Sequence, residues 1–428
     1  MNRIRHQTRM DNEGGRNGMN SRAHRVCIFR LGLSMAIACL LLTGCWDRHE
    51  LNQLGFTAAT GIDYKDGQWM MSYQVVIPSA LSSSVAAGTR GAAKLPIVVY
   101  STQGKTIREA TWKNELESPR HLYFTHNRVI IVSTTAVEQG LSLLLDVYLR
   151  NLESRETVSV LICEGEAREI LKQLMQIQVI PADGIEEMIK DESQHISALP
   201  NVQMYRLAKE LLGTSKSAVL PEVFISGSPE VTNPDKLGQT ALSSLLKLGR
   251  LAVLNQDKLV GWLSLQEALG VNFIRNMVKN STFSFPCEES SSVENSTFQL
   301  LSTKTRLTPH KIGDHFVIDI EVKGKGVLLE TDCPVDLTKP NTEQDMEAQL
   351  NKKITETIEK SWSAVKKLKT DVVGFGDLIH RKYPNDWKRV GPNWQTEFVK
   401  IEIRPKADIT IKRTGLTTKS FKLQRQQK

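Results

Sequence analysis

The spacing of apolar residues predicts a β-hairpin over residues 56–77. Residues 56–62 form an apolar segment, and Trp69, Met71 and Tyr73 alternate with smaller or polar residues, as in a half-buried strand. The two segments are separated by residues 63–67, Asp-Tyr-Lys-Asp-Gly, which predict a turn because Gly67 can adopt positive φ freely.

The remainder of the first half alternates between strand-like and helix-like segments. Strands are predicted at 97–100, 123–132, 158–162 and 219–225, and helices at 106–116, 137–149, 167–175 and 183–212, the last broken at Pro200. Residues 79–94 are rich in Ser, Ala and Gly and predict a flexible loop. Such alternation is typical of a mixed α/β domain.

The second half contains more strands and one long helix. A second hairpin is predicted at 251–263, further strands at 297–306, 315–322 and 398–411, and a helical segment at 375–383. The polar segment 281–295 indicates a domain boundary or a long loop. One apolar stripe at steps of three and four predicts an amphipathic helix through Met346, Leu350, Ile354, Ile358, Trp362, Val365 and Leu368.

The N-terminus has the pattern of a bacterial lipoprotein leader. Residues 31–42 are apolar or small and follow the basic residues Arg22, Arg25 and Arg30. This segment is shorter than the ~20 residues that span a bilayer. Residues 42–45 read Leu-Thr-Gly-Cys, a lipobox, which predicts that residues 1–44 are removed and that Cys45 carries the lipid. Translation starts at Met1 or at Met19, which would leave an ordinary basic leader.

Charge and cysteine content change once the leader is set aside. The full chain carries a formal charge of +8, but seven arginines lie in the leader, so the predicted mature chain is close to neutral and nucleic-acid binding loses its support. Residues 351–428 are basic, which indicates either a solvated face or contact with anionic lipid or an acidic partner. Beyond Cys45, only Cys163, Cys287 and Cys333 remain; free thiols are favoured over a single bridge.

No cofactor, metal or catalytic cluster is indicated. The sequence has no nucleotide-binding glycine loop, no nucleophile elbow and no Cys/His group at zinc spacing. The glycines at 374 and 376 are interpreted as a turn, and His126 as a packed residue. The acidic pairs at 186–187 and 191–192 are interpreted as the solvated face of a helix. We therefore expect a non-enzymatic protein.

Several short stretches resemble the Ger(x)C family, the lipoprotein C subunits of nutrient germinant receptors in spore-forming bacteria. These stretches span nearly the whole predicted mature chain, in the order of the family: residues 44–51 and 61–63, 118–126, 150–155, 258–263, 374–376, 381–384, Trp387 and 413–415.

The resemblance implies an elongated α+β protein of three domains, whereas the residue patterns themselves indicate two or three mixed α/β domains with largely antiparallel sheets. We place the boundaries at 45–213, 214–280 and 281–428. The resemblance also implies a lipid-anchored subunit on the outer face of the inner spore membrane, acting beside integral-membrane receptor subunits. Whether this subunit contacts the small-molecule germinant stays open.

The alternative is a substrate-binding lipoprotein that feeds a transporter. Such proteins usually have two similar α/β lobes around a cleft, and the strand-rich later half of this chain does not repeat the first. A lipid-anchored hydrolase would need an activated nucleophile, for which the sequence offers no candidate.

Overall fold

The computed structural model describes residues 16–41, 53–78, 80, 95–151, 153–286, 294–413 and 419–426. The chain divides into two units, one ending at Gln53 and the other beginning at Leu54. In the first unit, helix α1 (Arg16–Leu41) contains most of the apolar segment 31–42. Over the described ranges, the helices lack the combination of length and apolar content that crossing a bilayer requires.

The second unit begins with a nine-stranded mixed sheet. Its strands are β1 (Leu54–Lys65), β2 (Gln68–Val76), β3 (Ile97–Gly104), β4 (His121–Tyr123), β5 (Val129–Ser133), β6 (Ser159–Cys163), β7 (Ser217–Gly227), β8 (Ser244–Asn255) and β9 (Lys258–Leu263). The order is β3-β2-β1-β5-β6-β7-β8-β9, and β4 pairs with β1. The pair Ile162–Glu222 joins β6 to β7 in parallel.

The helices of this half connect or cover the strands. They are α2 (Ile107–Glu117), α3 (Thr134–Gln139), α4 (Ser142–Leu149), α5 (Ala167–Lys172), α6 (Pro181–His195), α7 (Met204–Leu212) and α8 (Leu265–Ile274). Thr106 caps α2 by accepting a hydrogen bond from the Glu109 N–H at 3.1 Å. Ser264 and Glu267 form a complete capping box at the start of α8.

A four-stranded sheet and the long helix make up the later half. The order is β10 (Ser281–Phe285), β11 (Ser296–Ile312), β12 (His315–Thr331) and β13 (Glu402–Arg413), and only the last pair is parallel. Between β12 and β13 lie α9 (Pro340–Lys367), α10 (Phe375–Lys382), α11 (Pro384–Val390) and α12 (Trp394–Phe398), and α13 (Phe421–Gln426) follows. Short 3₁₀ turns occur at Pro234–Gly238 and Gly391–Asn393.

One hydrophobic core extends through both sheets. The predicted stripe of α9 is buried from Met346 to Val365, and it packs against α8 and β13. The same continuous cluster includes Ile62 in β1 and Ile411 in β13. Since residues from both halves share this core, unfolding of one half would expose apolar surface of the other.

The first hairpin forms as predicted. Asp66 and Gly67 both have positive φ, at 51° and 77°, and they join β1 to β2. The turn is shorter than the predicted segment 63–67, because β1 continues to Lys65. The second hairpin, β8 and β9, also forms, although β8 begins several residues earlier than its apolar pattern indicated.

Two predicted elements of the first half are interrupted. The strand predicted at 123–132 is divided into β4 and β5 by a turn in which the Asn127 N–H donates to the Phe124 carbonyl. The helix predicted at 137–149 is divided into α3 and α4 at Gly140, where φ is 104°. The Asp257 side chain lies so close to Gly140 that a Cβ atom at this position would crowd it.

Two predictions in the second half are also wrong in part. The expected boundary at 281–295 begins with strand β10, in which Phe283 and Phe285 are buried. The strand expected from Phe398 begins only at Glu402, since Phe398 ends α12 and packs edge-on against Trp362 with ring centroids 5.0 Å apart. In both places, apolar residues are buried by partners distant in sequence.

The fold class is confirmed: the protein is α+β, with mixed α/β organisation and largely antiparallel sheets. The domain boundaries at 213/214 and 280/281 stay predictions. Strands β7 to β9, from the predicted middle domain, continue the first sheet.

The cysteines differ from the expectation of free thiols at one position. Cys163 is a buried free thiol whose pKa is raised well above its usual value by burial. Cys333 is disulfide-bonded. Cys287 lies outside the described residues.

Candidate functional site

The predicted lipid attachment site, Cys45, lies outside the described residues, so lipidation stays a prediction. The described chain resumes at Gln53, and β1 begins at Leu54. Leu54 pairs with His121 of β4, which places the start of the folded unit beside that strand.

Two of the stretches singled out in the sequence, 118–126 and 150–155, meet beside β4. Thr125 Oγ1 donates to the Glu153 carbonyl at 3.3 Å. His121 Nδ1 lies 3.0 Å from Glu115 Oε1, and its Nε2 lies 3.9 Å from Glu153 Oε1. The histidine therefore links α2 to the segment that follows α4.

These residues border a cleft of about 520 Å³. Its lining includes the carboxylates of Glu109, Glu115 and Glu153, the guanidinium of Arg108, and Asn114, which is only 2% exposed. Asn114 Oδ1 has no hydrogen-bond partner in the structure. An unpaired buried amide oxygen is unfavourable by about 1–3 kcal/mol, so this atom is a ready acceptor.

An apolar cavity of about 40 Å³ shares four lining residues with this cleft. The shared residues are Arg108, Thr111, Phe124 and Asn151. Ile62, Ile130 and Val147 are among its other lining residues. The cleft thus combines ion-pairing and hydrogen-bonding groups with adjacent apolar space.

The glycines at 374 and 376 form part of a second cluster, centred on buried Asp371. Its carboxylate accepts hydrogen bonds from three consecutive N–H groups, at 2.8 Å from Gly374, 3.0 Å from Phe375 and 2.6 Å from Gly376. Asp371 thereby occupies the N-terminal end of α10, where Gly374 has a φ of 81°. The conformation of Gly374 agrees with the interpretation of these glycines as a turn. These donors are directed at a protein carboxylate.

Two further donors attach Asp371 to distant parts of the chain. Ser215 Oγ donates at 2.7 Å from the segment before β7, and Trp394 Nε1 donates at 3.0 Å from the start of α12. Burial raises the pKa of Asp371 above its usual value, and hydrogen bonds from Gly376, Ser215, Phe375 and Trp394 oppose that shift. The carboxylate therefore connects the first sheet to the α10–α12 region.

A polar cleft of about 410 Å³ lies next to this cluster. Within it, Glu210 of α7 pairs with Arg206 at 3.1 Å and also with Arg275. Burial lowers the pKa of Arg275, and its Nη1 atom has no hydrogen-bond partner. Sequence reasoning missed these residues because no local motif marks them.

The stretch 258–263 contributes to packing and to an ion-pair group. Arg250 lies over the ring of Trp262, with its guanidinium carbon 4.3 Å from the ring centroid. The same guanidinium donates to Glu222 from Nε at 3.0 Å and from Nη2 at 2.6 Å. Gly261 faces Leu368, which a Cβ atom at this position would crowd. These contacts join β8 and β9 to the end of α9.

One acidic residue expected on a solvated face is instead buried. Glu192 of α6 is 9% exposed, and its carboxylate accepts from the N–H groups of Ala198 and Leu199 at 2.8–3.0 Å. Burial, partly opposed by these two hydrogen bonds, raises its pKa to about 7. The adjacent Asp191 is exposed, as predicted.

The histidines occupy ordinary packing and surface positions. His126 contacts Phe56 edge-on, with ring centroids 5.7 Å apart, as expected for a packed residue. His310 Nε2 lies 3.0 Å from Asp319 Oδ2 on an exposed strand pair. Across the described ranges, no three His, Cys, Asp or Glu side chains converge to hold a metal ion.

Comparison with known proteins gives matches over both halves. Residues 47–225 match the family model described as the spore germination protein N-terminal domain, and residues 249–415 match the one described as spore germination B3/GerAC like, C-terminal. Both models describe spore germination proteins. The chain belongs to the Ger(x)C family of these proteins.

Individual relatives align with this chain over most of their length. The chain is 28% identical over 406 residues to Spore germination protein KC of Bacillus subtilis, covering 94% of this chain and 98% of the relative. It is 25% identical over 394 residues to Putative spore germination protein YfkR of the same organism, covering 92% and 98%. The crystal structure of the GerBC protein aligns with a TM-score of 0.52 and 16% identity over 86% of this chain and all of that one, which supports the fold.

Proposed function

We propose that this protein is a lipid-anchored, non-enzymatic subunit of a spore nutrient germinant receptor. The observation that carries the proposal is the match to both germination domains, in order, over residues 47–225 and 249–415. The lipobox at 42–45 supports the anchor, since a thiol at this position takes the diacylglycerol as a thioether.

The anchor would hold the folded unit on the outer face of the inner spore membrane. Each buried methylene of an acyl chain contributes ~0.8 kcal/mol, so two or three chains retain a protein durably. Integral-membrane receptor subunits would then be its partners in that membrane.

The anchor is tested by replacing Cys45 with Ala in the producing bacterium and fractionating the cells. We expect the unsubstituted protein to be processed and to stay with membranes at high salt, and Cys45→Ala to lose both properties. Cys39→Ala is the matched control, because it removes a leader thiol six residues earlier and should change neither. A processed Cys45→Ala protein that still resists salt would place the anchor elsewhere.

The receptor role is tested by affinity purification from spore membranes in mild detergent. We expect multi-spanning proteins to copurify with the unsubstituted chain, and spores that lack the chain to lose their response to nutrients. Recovery of a transport ATPase in place of such subunits would favour the transporter-lipoprotein alternative.

A further inference from the structure

Helix α2 carries two large apolar side chains on its solvent-facing side. Trp112 is 65% exposed and Leu116 is 76% exposed. They are four residues apart, so they lie one helical turn from each other on the same face. The opposite face buries Ile107, Ala110 and Asn114. Two adjacent apolar residues that stay in water while the other face packs normally indicate a surface that binds something.

This pair lies at the end of the folded unit where the chain enters from the leader. Glu115, adjacent to Leu116, contacts His121 at 3.0 Å, and His121 pairs with Leu54, the first residue of β1. The exposed pair is therefore connected to the beginning of β1 by two direct contacts.

The length of chain before Leu54 limits how far this end can be from a lipid on Cys45. Nine peptide units separate the two residues, and an extended chain spans at most about 3.3–3.6 Å per unit, or roughly 30 Å. This step rests on the anchor proposed above. A tether this short keeps the surface at an effective concentration in the mM range beside the bilayer.

The charged residues around Trp112 and Leu116 do not favour binding to an anionic membrane over a neutral one. Lys113 pairs with Glu109 at 2.8 Å within the helix. Basic and acidic residues are interleaved in this region: Arg108, Lys113 and Arg120 against Glu109, Glu115, Glu117 and Glu153. The apolar side chains must therefore supply the binding, and tryptophan favours the boundary between lipid and water because its ring is apolar and its N–H is polar.

We propose that Trp112 and Leu116 form a membrane-contact surface that inserts into the lipid headgroup region next to the anchor. The insertion orients the first sheet with the α2 end toward the bilayer. Because the contact is apolar, it persists at high salt.

The test uses the full lipidated chain with an environment-sensitive fluorophore on Leu116→Cys. The protein is reconstituted into vesicles of phosphatidylethanolamine and phosphatidylglycerol at a ratio of 3:1. Leu212→Cys is the matched control, since Leu212 is 84% exposed and lies on another helix, α7. Unsubstituted protein carried through the same labelling gives the background from its own cysteines.

We expect the label at 116 to shift to the blue and to be quenched by brominated lipid, at low and high salt alike, while the label at 212 does neither. If the protein floats with the vesicles but the two labels behave alike, Trp112 and Leu116 do not form the membrane-contact surface, and the lipid anchor is still supported. If the protein does not float with the vesicles, both the proposed lipid anchor and this inference are refuted. A shift at 116 that requires other membrane proteins would assign the surface to a protein partner and overturn the lipid assignment.

Discussion

The buried carboxyl of Glu192 should make the stability of this protein depend on pH. Its surroundings provide two backbone donors, Ala198 and Leu199, and burial raises its pKa from 4.5 to about 7. In the unfolded chain the group regains its ordinary pKa. The folded form therefore binds more protons than the unfolded form between about pH 4.5 and 7.

The sign of the effect follows from this difference. The contribution of Glu192 to folding stability is most favourable where this group is protonated in both states, below pH 4.5, and it falls as the pH rises toward 7. The shift corresponds to about 3 kcal/mol, at 1.36 kcal/mol for each pKa unit. Glu192→Gln keeps a neutral side chain at every pH. Its amide oxygen can keep the position of Oε1, which accepts from both N–H groups, but its NH₂ group replaces Oε2, 2.8 Å from the Leu199 nitrogen, so some stability is lost at every pH. The substitution should remove most of this pH dependence.

The measurement is urea unfolding at pH 5 and pH 8, followed by circular dichroism. Between pH 5 and pH 8, we expect the free energy of unfolding of the unsubstituted protein to fall by about 1–3 kcal/mol more than that of Glu192→Gln. Asp191→Asn is the control, because it removes the neighbouring exposed carboxyl and should leave the pH dependence intact. Equal pH dependence in Glu192→Gln and the unsubstituted chain would show that the group is solvated.

Two further predictions concern the packing of the later half. Asp371→Asn should lower the free energy of unfolding, measured by denaturant titration, by about 3 kcal/mol or more, because its NH₂ group would face N–H and O–H donors that now bind a carboxylate. Asp377→Asn is the control: Asp377 is exposed in α10, and its substitution should change the free energy of unfolding little. Gly270→Ala should lower the free energy of unfolding by about 1–3 kcal/mol, because the added Cβ would lie 2.6 Å from Ser361 Cβ and 2.7 Å from the Thr357 carbonyl oxygen. Adding Ser361→Gly to this variant removes the first of these contacts and should restore part of the lost stability.

Elements specified by local pattern were predictable from the sequence. The stripe from Met346 to Val365 and the positive φ of Gly67 in the hairpin turn depend on neighbours within a few residues, and both appear as expected. By contrast, Asp371 binds Ser215, which is 156 residues away. The one local signal for Asp371 was an aspartate a few residues before a helical segment, which is a common arrangement at helix N-termini.

The candidate cleft beside β4 was predictable only in its parts. The resemblance drew attention to stretches 118–126 and 150–155, yet their meeting through His121 and Glu153 depends on where α4 ends. Glu192 was misplaced for a similar reason. Its helical position looks like that of exposed Asp191, and its burial results from residues 198 and 199 folding back over it.

The basic C-terminal segment shows why charge along a sequence differs from charge in space. Three of its lysines pair with acidic residues that precede position 351: Lys353 with Glu294, Lys419 with Asp336, and Lys422 with Asp332. These contacts reduce the local excess of positive charge around residues 351–428. Exposed charges are also screened beyond about 8 Å at physiological salt. Attraction of this segment to anionic lipid is therefore weaker than its composition suggests, whereas an apolar contact through α2 would not decline with salt.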